Sequence, residues 1–276
     1  MTDVAERPGT GGGAEPTLRV RGPAYGVIEE CLRIQATRRQ QSRIAHFFGA
    51  SPLTVDARSW YRGALGEIHV AKALKNLGPE WTVLHAVPVG SGTSDIDHVL
   101  IGPGGLFTIN TKNHAGQRVW VGGEQLLVNG HRTNHIRDAR FEALRASKLL
   151  SPGAGDPVDV TPVIAVVDPG SLTFGRKRPG GILVLSSSQL VRTLLRRKRR
   201  LTDAAIETSV ELAEQRGTWH TDSRVLDDTL RHEARFHRLQ HEVAVARRRR
   251  AGWMLTGVGL IAAVSAVPPL LSGAMF

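Results

Sequence analysis

Ser94-Asp95-Ile96-Asp97-His98-Val99-Leu100-Ile101-Gly102-Pro103-Gly104-Gly105-Leu106-Phe107-Thr108-Ile109-Asn110-Thr111-Lys112 is the stretch on which the reading of this chain turns. Two strand-like apolar runs flank a Gly-Pro-Gly-Gly turn, and polar residues are planted inside both. Side chains alternate faces along a strand, so Asp95 and Asp97 share one face, and Asn110 and Lys112 share a face on the next run. If the hairpin makes those faces coincide, two carboxylates, an amide and an ammonium meet at one spot. Such a set suits a divalent metal ion, a water to be activated and a phosphate to be cut.

The surrounding pattern is that of a mixed α/β domain. Before the hairpin, residues 60–77 carry Ala64, Leu65, Ile68, Ala71, Ala73 and Leu74 on an apolar helical face, with Glu67 inside the helix and Gly78-Pro79 ending it. Residues 81–89 read as a strand, and residues 95–101 and 106–112 form the central pair. Residues 117–121 and 125–128 make a second hairpin around Gly122-Gly123. A helix over 136–150 comes next, and the apolar runs 163–167 and 182–185 have the β-rich character of buried strands.

These residues together carry a family resemblance. Gly66-Glu67 on a helix, Ile96-Asp97-His98-Val99, Gly104-Gly105-Leu106-Phe107, and a strand ending in Lys112-Asn113 resemble the nuclease-related domain, NERD, which is similar to the PD-(D/E)xK nuclease superfamily. The resemblance covers residues 60–185. It implies a restriction-endonuclease-like fold, with a mixed central sheet flanked by helices, and hydrolysis of phosphodiester bonds with Mg²⁺ or Mn²⁺. In that comparison Glu67 matches the acidic residue of the first helix, Asp97 the metal-binding aspartate and Lys112 the lysine. Asn110 stands where the Glu-x-Lys motif of the family has its glutamate. An asparagine carbonyl ligates a hard cation without bringing charge, so Asp95 and Glu67 become the candidates to supply the missing carboxylate.

Plainer readings exist for each residue. Asp95, after Gly92-Thr93-Ser94, also suits a turn or strand end. Asp97 in an apolar strand needs a partner, and a structural ion pair with Lys112 would serve. His98 faces away from Asp97 and reads as a packed or surface histidine, and His114 as a loop residue within reach of a phosphate. His237 and His241 have zinc-like i,i+4 spacing but no evident third ligand. Two classes of function therefore stand: a metal-dependent nuclease acting on DNA or RNA, and a catalytically silent nuclease-fold module that binds nucleic acid or scaffolds partners.

The flanks give the organisation. Residues 1–21 read as a disordered leader, 22–58 as a helical segment, 59–190 as the nuclease-like domain, 191–250 as a basic helical segment and 251–276 as a transmembrane anchor. Of the net charge of +11, more than half lies in 186–250, which has 15 basic and 9 acidic residues. The arginine runs 196–200 and 247–250 therefore point to a juxtamembrane role before nucleic-acid contact. From Ala251 to Phe276 no residue is charged. Arg247 to Arg250 match the positive-inside pattern, and Trp253 sits at an interfacial position. The expectation is a single C-terminal anchor with the main domain cytoplasmic. Cys31, the sole cysteine, excludes an internal disulfide.

Overall fold

A computed structural model describes residues 17–37, 42–89, 95–151, 157–219 and 229–266. Most of the expected leader, Ser94 of the opening stretch and residues 267–276 of the expected anchor lie outside them. A 3-10 turn (Leu18–Val20) is followed by α1 (Tyr25–Ala36), α2 (Arg43–Phe47) and α3 (Ala57–Leu74). Then come β1 (Thr82–Pro88), β2 (Asp95–Gly102), β3 (Gly105–Asn113), β4 (Arg118–Gly122), β5 (Gln125–Val128) and β6 (His131–Thr133). The chain continues through α4 (His135–Leu149), β7 (Val160–Val167), β8 (Ser171–Phe174), β9 (Leu183–Ser186) and α5 (Ser187–Leu195). It closes with α6 (Asp203–Glu214), α7 (Arg216–Trp219) and α8 (Thr229–Ala266).

The central sheet has the order β1-β2-β3-β7-β9. Strands β1, β2 and β3 are mutually antiparallel, while β7 and β9 run parallel to β3. It is thus the mixed sheet flanked by helices that the family resemblance implies. Helices α3 and α5 cover one face, where Val70, Leu74, Leu190 and Leu194 pack on Leu100, Phe107, Ile109, Val163 and Ala165. Helix α4 covers the other, where Ala143, Ala146 and the following Leu150 share a cluster with Val99, Ile101 and Leu106. Alternation along each strand therefore sends odd positions of β3 toward α3 and even positions toward α4. Strand β7 is covered on both sides and is buried from Pro162 to Val167, which explains its unbroken apolar reading.

The hairpin turn shows why its glycines are there. Gly102 pairs with Gly105 across the turn, and Gly105 adopts φ +125°. A Cβ on Gly102 would lie 2.5 Å from the buried indole of Trp81, so the ring takes the space that a side chain would need.

Strands β6 and β8, and the part of α5 before residue 191, were not expected from the sequence. The first two complete a second sheet of order β6-β5-β4-β8, packed through Val119, Val121 and Leu126 onto Ile136 and Ala139 of α4. Each has four residues or fewer, too short to show a period. Helix α5 lies in a stretch that begins with three serines, which hide its apolar positions Leu190 and Leu194.

Helix α8 packs against α1 and α3, with Phe236, Leu239 and Val243 meeting Ile28, Cys31, Leu32, Tyr61 and Ala64. Farther along, Trp253 lies 5.0 Å from the ring of Phe47 and 5.1 Å from that of Phe48, and its indole N–H donates to the Phe47 carbonyl. The expected membrane-spanning helix is not found: among the described residues no helix is long and apolar enough to cross a membrane. The described part of the expected anchor, Ala251 to Ala266, makes about 24 Å of helix at 1.5 Å per residue, and residues 267–276 lie outside the described residues.

Replacing Gly102 with alanine should lower stability by about 1–3 kcal/mol, since the rigid indole must give way. Urea unfolding of the full chain checks this, and an unchanged midpoint would show that the Trp81 packing does not constrain the turn.

Candidate functional site

Strands β2 and β3 part at the end where the polar residues lie. Their register runs from Gly102↔Gly105 to His98↔Ile109, and the next step would set Asp97 opposite Asn110. Instead Asp97 Oδ2 accepts the backbone N–H of Thr111 at 2.6 Å. A carboxylate thus stands where a ladder carbonyl would otherwise be, and it wedges the strands apart. Strand β3 keeps its other edge on β7 as far as Asn113↔Val167, so the fork opens on one side only.

Glu67 approaches from α3. The preceding Gly66 is what allows this, because a Cβ there would be 3.0 Å from the Asn113 Cβ and 3.5 Å from Thr111 Cγ2. Asn113 in turn donates from Nδ2 to the Arg62 carbonyl at 2.8 Å, fastening the end of β3 to the helix. Glu67 is buried, and burial lifts its carboxyl well above the usual range, helped by the negative charges of Asp97 and Asp95 and opposed by Lys112. Asp97 is raised too, first by burial, with Lys112 and the Thr111 amide pulling the other way.

Asp95 and Asp97 do not share one environment. Asp95 opens β2 and is held by Arg21, whose guanidinium lies 2.8 Å from Oδ2 in a largely buried pair. That arginine also stacks over Tyr25, 4.5 Å from the ring centroid. Burial pushes the Asp95 carboxyl up to about 6, and Arg21 limits the rise. Lys112 stays half-buried and close enough to act on these groups electrostatically. Among the described residues no salt bridge joins it to Asp97, so a closed structural ion pair is not what holds that aspartate. Asp95 is committed to a cation already, whereas Asp97 is not.

Asn110 is the residue that the structure changes most. It is only 4% exposed, and its Nδ2 donates to Glu142 Oε1 at 2.6 Å. Its own Oδ1 and the other oxygen of Glu142 are buried without a hydrogen-bond partner. Glu142 sits on α4, and burial together with Asp97 raises it to about 8. Neither Glu142 nor Arg21 was singled out from the sequence. A signal for Glu142 did exist. It falls three residues after Ala139 and one before Ala143, at the margin of the helix's apolar stripe, where a lone carboxylate is out of place.

The histidines divide. His98 is fully buried with Nδ1 2.9 Å from that of His85, so it is a packed residue pointing away from the site. His114 gives its Nδ1 hydrogen to Gln117, leaving Nε2 to accept from His135 Nε2 at 3.1 Å. Burial lowers both, His135 to about 4, with Lys112 contributing. The pair is therefore neutral near pH 7 and adds no positive charge beside Lys112.

The arrangement has oxygen donors of the kind a hard divalent cation takes, and Asn110 Oδ1 is a buried acceptor without a hydrogen-bond partner. Among the described residues, however, no three His, Cys, Asp or Glu side chains converge as a ready metal-ligand set. The donor chemistry fits, while the ligand geometry is not closed.

Residues 62–167 match the family model of NERD, the nuclease-related domain. The match runs from within α3 to the end of β7 and contains Glu67, Asp95, Asp97, Asn110, Lys112 and Glu142. The resemblance drawn from the sequence is thereby borne out for the part of the chain that carries the site. No curated protein and no solved structure matches the chain.

Glu142 generates a pH prediction. Its folded carboxyl is raised from 4.5 to about 8, so its contribution to stability is complete below pH 4.5 and is lost as the pH rises toward 8. Glu142→Gln keeps the acceptor for Asn110 and removes the ionisation. Between pH 5 and 8 the variant should hold its stability better than the parent, the slopes differing by up to about 1.4 kcal/mol per pH unit. Parallel slopes in urea titrations would show that Glu142 is not held protonated.

Proposed function

We propose that this domain is a metal-dependent nuclease that hydrolyses phosphodiester bonds of DNA or RNA, with Mg²⁺ or Mn²⁺ as the cation. The observation that supports it best is the group of Glu67, Asp97 and Glu142, buried within electrostatic reach of one another and, among the described residues, paired with no cation. Such a cluster costs stability unless a positive charge joins it, and sites of this kind are commonly functional. Asp97 and Glu67 are the residues that would hold the ion, with the Asn110 carbonyl as a neutral donor. A bound divalent ion polarises a phosphoryl oxygen and makes a coordinated water more acidic. Lys112 would orient that water or neutralise charge developing on the phosphate. Asp95, already paired with Arg21, serves to brace the start of β2.

A catalytically silent module that binds nucleic acid or scaffolds partners is the competing reading, and Asn110 in place of the motif glutamate favours it. Cleavage assays on single- and double-stranded DNA and RNA, with Mg²⁺ or Mn²⁺, separate the two. The nuclease reading expects cleavage that falls at least about 100-fold in Asp97→Ala and Lys112→Ala. Absence of cleavage on every substrate, or activity indifferent to both substitutions, would count against it.

We also propose that the C-terminal segment attaches the protein to a membrane with the main domain on the cytoplasmic side. Arg247 to Arg250 are exposed and followed by an uncharged stretch. Phe47, Phe48 and Trp253 form an exposed aromatic cluster beside them, which suits a headgroup interface. Full-length protein should remain with membranes through carbonate extraction, whereas a chain ending at Arg250 should be released. Release of the full-length protein would remove this part of the proposal.

A further inference from the structure

We propose that the cavity between α3, α8 and the turn after α2 is a binding site for the phosphate of an anionic lipid headgroup. This rests on the membrane reading given above and names the lipid chemistry that the reading left open. Three observations carry it.

The first is the lining. Arg58, Arg247 and Arg250 line a cavity of about 260 Å³, with Ser51, Pro52 and Ala246 in the rest of its wall. No lining residue is acidic, and among the described residues none of the three arginines forms a salt bridge. Asp56, the acid nearest to Arg58 in sequence, is exposed and outside the lining. Three guanidinium groups around one space repel one another until an anion joins them. A phosphate suits them, because its oxygens accept the paired N–H groups of arginine two at a time.

The second is that the cavity has a fixed wall. Gly49 adopts φ +72°, and a Cβ there would lie 2.5 Å from the Ala246 carbonyl oxygen, so the turn after α2 lies directly on α8. Arg250 donates from Nε and Nη2 to the Gly49 carbonyl at 3.2 and 3.0 Å. Ser51 and Pro52 follow at once and face Arg247 and Arg250 across the space. Arg250 is thereby held in place, with Arg58 and Arg247 exposed beside it.

The third is depth. Arg250 is the last charged residue of α8, and the helix continues uncharged from Ala251 to Ala266. Trp253 packs with the exposed rings of Phe47 and Phe48, as an interfacial aromatic belt would. At 1.5 Å per residue, Arg250 and Arg247 stand about 4.5 and 9 Å before Trp253 along the helix. The headgroup layer on each side of a bilayer is ~5–8 Å thick, so with Trp253 at the boundary the cavity lies at the level of the lipid phosphates. Nucleic acid also carries phosphate. Arg58, however, lies about 14 Å along α3 from Glu67, which sets the cavity apart from the fork.

The test uses the full chain in neutral detergent micelles, in three forms. These are the parent, Arg58→Gln/Arg247→Gln, and Arg43→Gln/Arg248→Gln, which removes the same charge from exposed arginines outside the lining. Melting is followed by circular dichroism with dioctanoyl phosphatidylglycerol, dioctanoyl phosphatidylcholine, inorganic phosphate or a short single-stranded oligonucleotide, and the melt without ligand checks folding. The expected result is a melting point raised by at least about 2 °C by phosphatidylglycerol in the parent and in Arg43→Gln/Arg248→Gln, with little or no shift in Arg58→Gln/Arg247→Gln. Equal shifts in all three forms would overturn the site, and equal losses in both variants would replace it with diffuse surface charge. A shift from phosphate, the oligonucleotide or phosphatidylcholine as large as that from phosphatidylglycerol would overturn the anionic lipid as the ligand. Carbonate extraction decides the membrane reading separately. Release of the full chain would remove that reading and the lipid source with it, whereas retention without a phosphatidylglycerol shift would remove only this site.

Discussion

Asp97 stands in the fork between β2 and β3 with the Thr111 amide on one oxygen, and most of the domain can be understood as what it takes to keep that carboxylate there. An ionised acid at that depth needs donors, and the backbone offers one only because the two strands stop pairing at His98↔Ile109. Opening the fork leaves β3 unsupported on that side, so its other edge must be held, which β7 does along the strand. The helices follow from the same need. Helix α3 closes one face through the side-chain-free approach at Gly66, and α4 closes the other with small residues that let Glu142 reach inward.

The electrostatic consequence is a site that is short of positive charge. Arg21 satisfies Asp95 from a segment well before residue 62, so part of the balance comes from outside the region that matches the family. Lys112 acts at a distance on the rest. Glu67, Asp97 and Glu142 are all raised by burial, and Glu67 and Glu142 further by the negative charge of Asp97. The neutral His114–His135 pair does not change that balance.

The central hairpin, the flanking helices and the buried strand β7 were legible because each is long enough to show its period, and because Gly102 to Gly105 mark the turn unmistakably. The placement of Asp97 and Lys112 near one another was legible for the same reason, since alternation fixes faces. What a linear reading could not supply was partnership across the chain. Arg21 and Asp95 are 74 positions apart, and Asn110 and Glu142 are 32 apart. Nothing in local periodicity says which helix position will face which strand. Strands β6 and β8 were missed for a different reason, as pairing in the second sheet, and not intrinsic pattern, makes three or four residues extended.

Helix α8 carries one seam from Phe236 through Val243 to Trp253, first against α1 and α3 and then against Phe47 and Phe48. A helix transmits angle as well as distance, about 100° for each residue added. The compass bearing of α8 between Arg250 and Ala266 is therefore set by the packing around Phe236, like the far end of a keyed shaft. Lengthening the helix by a single residue would move its tip by only about 1.5 Å but swing its outer face through more than a quarter turn. The number of residues in that shaft, more than their identity, decides which way the domain faces whatever lies beyond it.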